Sequence, residues 1–308
     1  MRFNENAELD TSQIEDLRSG GGGGLGGRIA LGGGGVSVAG IIIYLLISVL
    51  GGGGSVPGGL SDGLSGVGAG QSADNSQLEQ ECRTGADANE NQDCRIVAVV
   101  NSIQAYWRDQ FARSGETYRP AVTNFFRGQV NTACGGATSA VGPFYCPGDN
   151  EVYIDLDFFD ELRTRFGATG GAFVEAYVLA HEYGHHVQNL LGTSDRVDNR
   201  DTGPTSGAVR LELQADCYAG VWSNHATTTP TANGQPLIVE LTQQDIDDAL
   251  DAASRIGDDY IQSELGGGQV NPDAFTHGTS AQRQRWFGTG YESGEPARCN
   301  TFDTNDLG

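Results

Sequence analysis

Apolar residues are spaced regularly in several stretches between residues 93 and 260. Between residues 171 and 191 they recur at steps of three and four, which is the period of a helix rather than a strand. Residues 93–112 have the same spacing, and residues 209–222 form a further apolar-rich run. Residues 242–260 begin with glutamine and aspartate, which suit the first turns of a helix. The pattern predicts a helix in each of these four stretches.

Strand-like stretches fall between the first two of these helices. Residues 121–130 form one, and residues 144–146 and 151–156 are separated by a Pro-Gly-Asp-Asn turn signal, which predicts a hairpin. Residues 158–166 begin another helix. Together the elements predict an α+β domain, with a small antiparallel or mixed sheet packed on several helices, that starts near Leu78.

The first 77 residues have a different character. Residues 1–35 are polar and then mostly glycine, so they bury too little apolar surface to offset the entropy of ordering, and we expect a flexible tail. Residues 36–50 are apolar and uncharged, and the glycines around them complete a single transmembrane anchor at residues 36–54. Residues 55–77 have the composition of a flexible linker, which leaves residues 78–308 as the folded domain.

The arginines near the apolar run predict its orientation. Arginines precede the run and no basic residue follows it until Arg83, so the positive-inside rule places the N-terminus in the cytoplasm and the domain outside. A cleaved signal peptide is an alternative, although the long preceding tail and the lack of a clear cleavage site favour an uncleaved anchor. A buried core helix is a weaker alternative, because glycine-rich sequence flanks the run on both sides.

Charge and cysteine content narrow the class further. A formal net charge of -22 argues against nucleic acid as a partner, because nucleic acid attracts basic patches. All six cysteines follow the apolar run, which predicts disulfides in a domain outside the cytoplasm. Their connectivity does not follow from the sequence alone, but nearness along the chain favours the pairs Cys82–Cys94 and Cys134–Cys146, leaving Cys217 with Cys299.

The helix at residues 171–191 carries the stretch His-Glu-Tyr-Gly-His. His181 and His185 lie four residues apart on one helical face, which is the separation at which two imidazoles bind one Zn²⁺. Glu182 lies between them on an adjacent face, where its carboxylate can take a proton from a metal-bound water. The plain alternative is two surface histidines on an ordinary helix. Cysteine ligands are a poor alternative, because the chain has no Cys-x-x-Cys pair.

Residues 209–222 offer a third ligand. A catalytic zinc site needs three protein ligands and an open position for water, and Glu212 is the obvious donor. Asp216 lies one turn further along, where it can accept the other N–H of a ligating histidine. The alternative is two carboxylates on a solvated face. They interrupt an apolar run, however, and a buried carboxylate needs a partner.

Three stretches carry a resemblance to a known family. Residues 181–188 (HEYGHHVQ), 212–220 (ELQADCYAG) and 277–283 (HGTSAQR) resemble the bacterial "putative neutral zinc metallopeptidases", and more widely the zincins whose third ligand is a glutamate in a Glu-x-x-x-Asp helix. The resemblance extends to the glycine-rich N-terminal segment with its apolar run. It implies that His181, His185 and Glu212 bind zinc, that Glu182 is the catalytic base and that Asp216 supports a ligand.

We therefore expect an extracytoplasmic zinc endopeptidase that hydrolyses protein or peptide substrates with Glu182 as general base. A catalytically inactive, zinc-stabilised binding scaffold is the main alternative, and a metal-dependent amidase acting on cell-wall peptides is a weaker one. A peptidase also needs a donor to the developing oxyanion, for which His277, Tyr218 and His186 are candidates, with His277 placed first. Residues 153–156 are expected to form a sheet edge that pairs with substrate, with an ordinary buried strand as the alternative.

Overall fold

The structure is a computed structural model, and it describes residues 1–18, 72–198, 201–266 and 268–308. The helices are α1 (Ser76–Glu81), α2 (Gly85–Glu90), α3 (Gln92–Ser114), α4 (Phe158–Thr164), α5 (Ala172–Leu190), α6 (Gly207–His225), α7 (Gln243–Arg255), α8 (Asp258–Tyr260) and α9 (Ser280–Ser293). The strands are β1 (Arg2–Phe3), β2 (Ile14–Asp16), β3 (Thr123–Phe125), β4 (Gln129–Thr132), β5 (Gly135–Thr138), β6 (Phe144–Cys146), β7 (Glu151–Ile154) and β8 (Ile238–Glu240).

The predicted helices are confirmed, and local capping explains their ends. The side chain of Asn91 accepts a hydrogen bond from the N–H of Asp93 and begins α3, and Gly115, with a φ of 77°, ends it. Ser206 caps α6 in the same way. Helix α7 begins at the predicted place but ends at Arg255, before the predicted residue 260.

The main sheet is small and mixed, which confirms the predicted α+β class. Its strand order is β2-β3-β7-β6, with β2, β3 and β7 parallel and β6 antiparallel to β7. The hairpin of β6 and β7 is confirmed. The prediction of an edge at residues 153–156 is wrong, because β7 has β3 on one side and β6 on the other. Strand β6 forms that edge instead. The sequence did not indicate this, because the parallel pairing of β7 with β3, which is distant along the chain, leaves no turn signal.

Helices α5 and α6 lie side by side at the centre of the domain. Helix α9 packs on α6, helices α3 and α7 pack on α5, and α5 also contacts β6 and β7. Gly184 of α5 permits the close approach to α6, because a Cβ at this position would lie 2.9 Å from the Cα of Ala215. The glycine within the histidine motif therefore serves helix packing.

Residues 1–18 belong to the folded domain, so the prediction of a flexible tail is wrong for them. Strand β1 pairs with β8, and β2 forms an edge of the main sheet beside β3. Phe3 is 1% exposed and Ile14 is 0% exposed. These side chains are too sparse to produce a periodic pattern, and only strands from distant parts of the chain provide the surface that buries them.

The two ends of the undescribed segment at residues 19–71 meet at one place. The N–H of Asp74 donates to the carbonyl of Asp16 (2.9 Å), and the Asn75 side chain bonds the backbone of both Asp16 and Ile14. The folded part therefore resumes a few residues before the predicted Leu78. The pairing of β2 with β3 holds residues 14–16 against the rest of the folded domain.

Several predictions about this segment lie outside the described residues. They are the anchor at residues 36–54, the tail after residue 18 and the linker from residue 55 to residue 71. In the parts of the chain that the structure does describe, no helix has both the length and the apolar character needed to cross a membrane.

Three disulfides pair all six cysteines and confirm the predicted connectivity. Two of them close short loops, at the start of α3 and beside the edge strand β6. The third joins α6 to the C-terminal segment. The pairs are Cys82–Cys94, Cys134–Cys146 and Cys217–Cys299.

Candidate metal centre

The two histidines of α5 point their Nε2 atoms at one another. These atoms lie 3.2 Å apart, as expected for side chains one helical turn apart on one face. Glu212 of α6 completes the group, with its Oε2 at 3.2 Å from the Nε2 of His181 and its Oε1 at 3.4 Å from the Nε2 of His185. The structure thus brings together the three residues that the sequence predicts as ligands, with ligand atoms within 4.8 Å of one another.

The hydrogen bonds behind the histidines show which atoms are free to bind a cation. The Nδ1 of His181 lies 2.9 Å from a carboxylate oxygen of Asp216, which can only accept, so Nδ1 carries the hydrogen. The amide nitrogen of Gln188 donates to the Leu211 carbonyl, so its Oε1 accepts from the Nδ1 of His185 at 2.9 Å.

Both histidines are therefore left with a lone pair on Nε2, directed at the Glu212 carboxylate. Three acceptors that face each other repel unless positive charge lies among them. Two imidazoles and one carboxylate are a ligand set that suits Zn²⁺. The residues present thus fit a bound zinc ion.

The electrostatics of the site lead to the same conclusion. Burial disfavours a charged imidazole, but Asp216 and then Glu212 outweigh it and raise the pKa of His181 to about 10. Burial opposes ionisation of Glu212, yet His185 and His181 hold its pKa well below the ordinary value. The site therefore attracts a positive charge. A divalent cation held by the two histidines and Glu212 would supply that charge in competition with a proton.

Asp216 pairs with the buried side chain of Arg283, a contact that no local sequence pattern predicts. Arg283 of α9 donates through Nε to one Asp216 oxygen (2.8 Å) and through Nη2 to the other (3.0 Å). The Tyr177 hydroxyl donates to Asp216 at 2.7 Å. Burial opposes ionisation, but Arg283 and His181 lower the pKa of Asp216 to about 2. Asp216 thus contacts His181, as predicted for the partner of a candidate ligand. Arg283, the last residue of the HGTSAQR motif, pairs with Asp216.

Glu182 lies in the same cleft as the three candidate ligands and is 8% exposed. Burial raises its pKa above the ordinary value for a glutamate, while His181 and His185 oppose that rise. A carboxylate whose pKa moves towards neutrality is better matched to proton transfer than an exposed one. Its role as the catalytic base stays a prediction.

His277 is the predicted oxyanion donor that reaches this cleft. Its Nδ1 lies 3.2 Å from Asp258, whose other oxygen accepts the backbone N–H groups of residues 276–278. Burial lowers the pKa of His277, but Asp258 and then Glu212 raise it above the ordinary value. Asp258 was not predicted, because its 19-residue separation from His277 gives no local pattern.

The other two donor candidates are committed elsewhere. His186 is fully buried and bonds the Tyr145 hydroxyl and the Arg119 carbonyl. Tyr218 packs edge-on against Trp107, with ring centroids 5.2 Å apart. Neither side chain lines the cleft, so neither prediction fits the structure.

The cleft has a volume of about 190 Å³ and is walled mainly by apolar side chains. One wall comes from the edge strand β6 and the residues before it. The opposite walls come from α4, α5, the segment after α7 and the start of α6. The apolar lining residues include Phe144, Tyr145, Phe158, Phe166, Val178, Ile256 and Ile261.

The fold and site define an α+β domain with a buried His/His/Glu metal centre. The family model described as "Putative neutral zinc metallopeptidase" matches residues 1–302, so the chain belongs to that family, and zinc is the metal that the family implies.

The chain has similar proteins in Mycobacterium and Escherichia coli. "Uncharacterized protein Mb2605" of Mycobacterium bovis is 52% identical over 229 residues, which is 74% of this chain and 76% of the relative. "Uncharacterized protein Rv2575" of Mycobacterium tuberculosis matches to the same extent. "Uncharacterized protein YpfJ" of Escherichia coli is 39% identical over 312 residues, which is 98% of this chain and 99% of the relative. No solved structure matches the chain.

Proposed function

We propose that this protein is a zinc-dependent endopeptidase of the zincin type. The observation that carries the proposal is the convergence of three acceptor atoms, from His181, His185 and Glu212, beside the buried carboxylate of Glu182. These three residues would hold the zinc ion. When bound there, zinc would lower the pKa of a water molecule and polarise the scissile carbonyl.

Glu182 acts as the general base. Its carboxylate accepts a proton from the attacking water while the water oxygen bonds to the carbonyl carbon. Glu182 then gives that proton to the amide nitrogen, and the bond between carbon and nitrogen breaks. One product leaves with a carboxyl group and the other with an amine.

His277 stabilises the negative charge that develops on the carbonyl oxygen. The contact with Asp258 favours the protonated imidazole by raising its pKa, and a charged donor in a cleft shielded from water is effective at this step. Asp258 orients His277 through the Nδ1 contact. Asp258 itself is held by three backbone N–H groups, so it pre-organises the donor before substrate binds.

Strand β6 is the place for the substrate backbone. Among the described strands β6 pairs only with β7, so no described strand lies at its other edge, and Phe144 and Tyr145 also line the cleft. An extended peptide added to this edge would gain main-chain hydrogen bonds that require no particular sequence.

The disulfides support a location for the domain outside the cytoplasm, in an oxidising compartment. Attachment to a membrane through residues 36–54 remains a prediction. The pairing of β2 with β3 requires in addition that residues 1–18 lie on the same side of any membrane as residues 72–308.

Comparison of two variants on the same helix tests the proposal. Glu182→Gln removes the base, and Glu175→Gln makes the identical change at another buried glutamate of α5, which pairs with Arg95 outside the cleft. With the full zinc-loaded chain and an unfolded protein as substrate, Glu175→Gln should hydrolyse it like the wild type. Glu182→Gln should retain zinc and lose at least about 100-fold in rate.

The scaffold and amidase alternatives each predict a different result in this experiment. If the wild type and Glu182→Gln bind zinc equally and neither hydrolyses unfolded proteins or peptides above background, the peptidase proposal is wrong. The scaffold interpretation then stands. Hydrolysis restricted to cell-wall peptides would instead indicate the amidase.

A further inference from the structure

The apolar cleft extends from the metal centre to side chains with no part in the proposed chemistry. Val178 lies on α5 one helical turn before Glu182, and Phe158, Ile256 and Ile261 line the cleft as well. Phe166 and Ile261 are 3% and 4% exposed, whereas Phe158 and Ile256 are only partly buried. The partly buried pair remains open to a ligand.

The charged side chains that line this cleft either have partners in the structure or take part in the proposed reaction. Arg283 is bound to both oxygens of Asp216, and Glu212 faces the two histidines. Glu182 is the proposed base, and His277 is held by Asp258. Apart from Glu182 and His277, which the proposed reaction uses at the scissile bond, none of these charged groups is available to pair with a charge on a substrate side chain. Burying an unpaired charge among apolar walls is costly, whereas burying an apolar side chain is favourable.

Distance along a peptide indicates which substrate residue enters the cleft. A strand advances about 3.3 Å per residue, and one helical turn from Glu182 to Val178 is about 5–6 Å. A side chain that reaches Val178 and Ile256 therefore belongs to a residue next to the scissile bond or one further along.

We propose that this cleft binds a large apolar side chain of the substrate beside the scissile bond, with Val178, Phe158 and Ile256 as specificity-determining residues. The substrates are then extended segments rich in large aliphatic or aromatic residues, of the kind that a folded protein buries and an unfolded one exposes. This inference rests on the proposed function.

A single charge in the wall tests the inference. In Ile256→Asp, a carboxylate replaces an apolar side chain that the structure shows partly buried in the cleft. Val270→Asp makes a similar change at a residue that is 44% exposed and does not line the cleft. The substrates are quenched fluorescent peptides of one sequence that differ at a single position beside the cleavage site, with Leu, Phe, Gly, Lys or Asp.

The wild type and Val270→Asp should cleave the Leu and Phe peptides at least ~10-fold faster, in kcat/KM, than the Lys and Asp peptides. Ile256→Asp should reverse the preference towards the Lys peptide, because the new carboxylate pairs with the ammonium group. Ile256→Ala should weaken the apolar preference without reversing it. The Ala variant keeps the test valid if the Asp variant does not fold.

A binding measurement separates failure of this inference from failure of the proposed function. Zinc-loaded Glu182→Gln, alone and combined with Ile256→Asp, is titrated with the same peptides and followed by fluorescence anisotropy. Apolar-selective binding that Ile256→Asp reverses supports the cleft even if the wild type hydrolyses nothing. Hydrolysis with equal rates for all peptides, or with the same preference in Ile256→Asp and Val270→Asp, overturns the cleft and leaves the peptidase standing. Absence of both hydrolysis and selective binding overturns both.

Discussion

The metal centre and the N-terminal segment are held in the fold by different means. At the metal centre His181 and His185 come from one helix, and their spacing alone places them on one face. The N-terminal segment, residues 1–18, is held by strands from distant parts of the chain, with β1 on β8 and β2 on β3. The relative position of the two histidines follows from the helical repeat of α5. The N-terminal segment acquires its geometry only when the rest of the domain has folded.

The metal centre and the N-terminal segment are expected to contribute to different properties of the protein. The metal centre places several polar and charged groups in the interior, where each needs a partner, and Asp216, Arg283 and Gln188 supply those partners. The N-terminal segment contributes a few buried apolar side chains, the backbone pairing of β1 and β2, and ion pairs near both of its ends. We therefore expect changes at the centre to affect zinc binding and hydrolysis, and changes in the segment to affect the free energy of unfolding.

The largest expected effect is at the metal centre. Glu212→Gln removes the anionic ligand and should weaken zinc binding by more than the roughly 10–100-fold typical of losing an outer hydrogen-bond partner. Hydrolysis should fall to background. Zinc affinity is measured by competition with a chelator, and hydrolysis with an unfolded protein. Wild-type zinc affinity in this variant would remove Glu212 from the ligand set.

The second effect is in the N-terminal segment. Ile14 is 0% exposed, so Ile14→Ala should lower the free energy of unfolding by about 2–5 kcal/mol. Zinc affinity of the folded protein should not change. Urea denaturation measures the first quantity and chelator competition the second. The control is Val239→Ala on β8, where the side chain is 38% exposed. An equal, small loss in both variants would show that residues 1–18 do not dock in solution.

The third-largest effect is expected at the metal centre. Asp216→Asn keeps the size of the side chain but removes the charge between His181 and Arg283. Zinc affinity should fall about 10–100-fold, which is the cost of a lost outer-shell partner. Asp306→Asn is the control, because it also removes an arginine partner, that of Arg285, at an exposed site. Equal zinc affinity in the two variants would show that Asp216 does not support a ligand.

The smallest effect concerns the ion pairs that close the N-terminal segment. Arg18 bonds both Asp16 and Asp93. Burial alone would raise the pKa of Asp16, but the contacts with Arg18 lower it below the ordinary value. Because the pKa is lower in the folded state, this contribution to stability is complete above the unfolded pKa of about 4. It is lost as the pH falls through the folded value.

Asp16→Asn should therefore lower the free energy of unfolding by about 1 kcal/mol or less at pH 7, and by less still in acid. The measurement is urea denaturation of the zinc-free protein, so that proton competition at the metal centre does not contribute. A difference between variant and wild type that grows as the pH falls would contradict the assignment.

Much of the site could be predicted because it depends on short separations. The spacing of His181, Glu182 and His185, and that of Glu212 and Asp216, follows from one helical turn. The partners Arg283 and Asp258 lie on the C-terminal part of the chain, 67 residues from Asp216 and 19 from His277. No local period records such contacts. The HGTSAQR motif marks Arg283 and His277 as residues of interest without showing what they touch.

The amino-acid sequence alone indicated the helices, the α+β class, the spacing of the candidate ligands within each helix and the two disulfides between nearby cysteines, because each depends on residues close along the chain. Only the tertiary structure decided that residues 1–18 complete the sheet, that β6 rather than β7 is an edge, and that Gly184 serves the contact between α5 and α6. The physical reason is the same in each case. Strand pairing and helix approach are settled by surfaces that meet after folding, and a short window of sequence contains only one of the two surfaces.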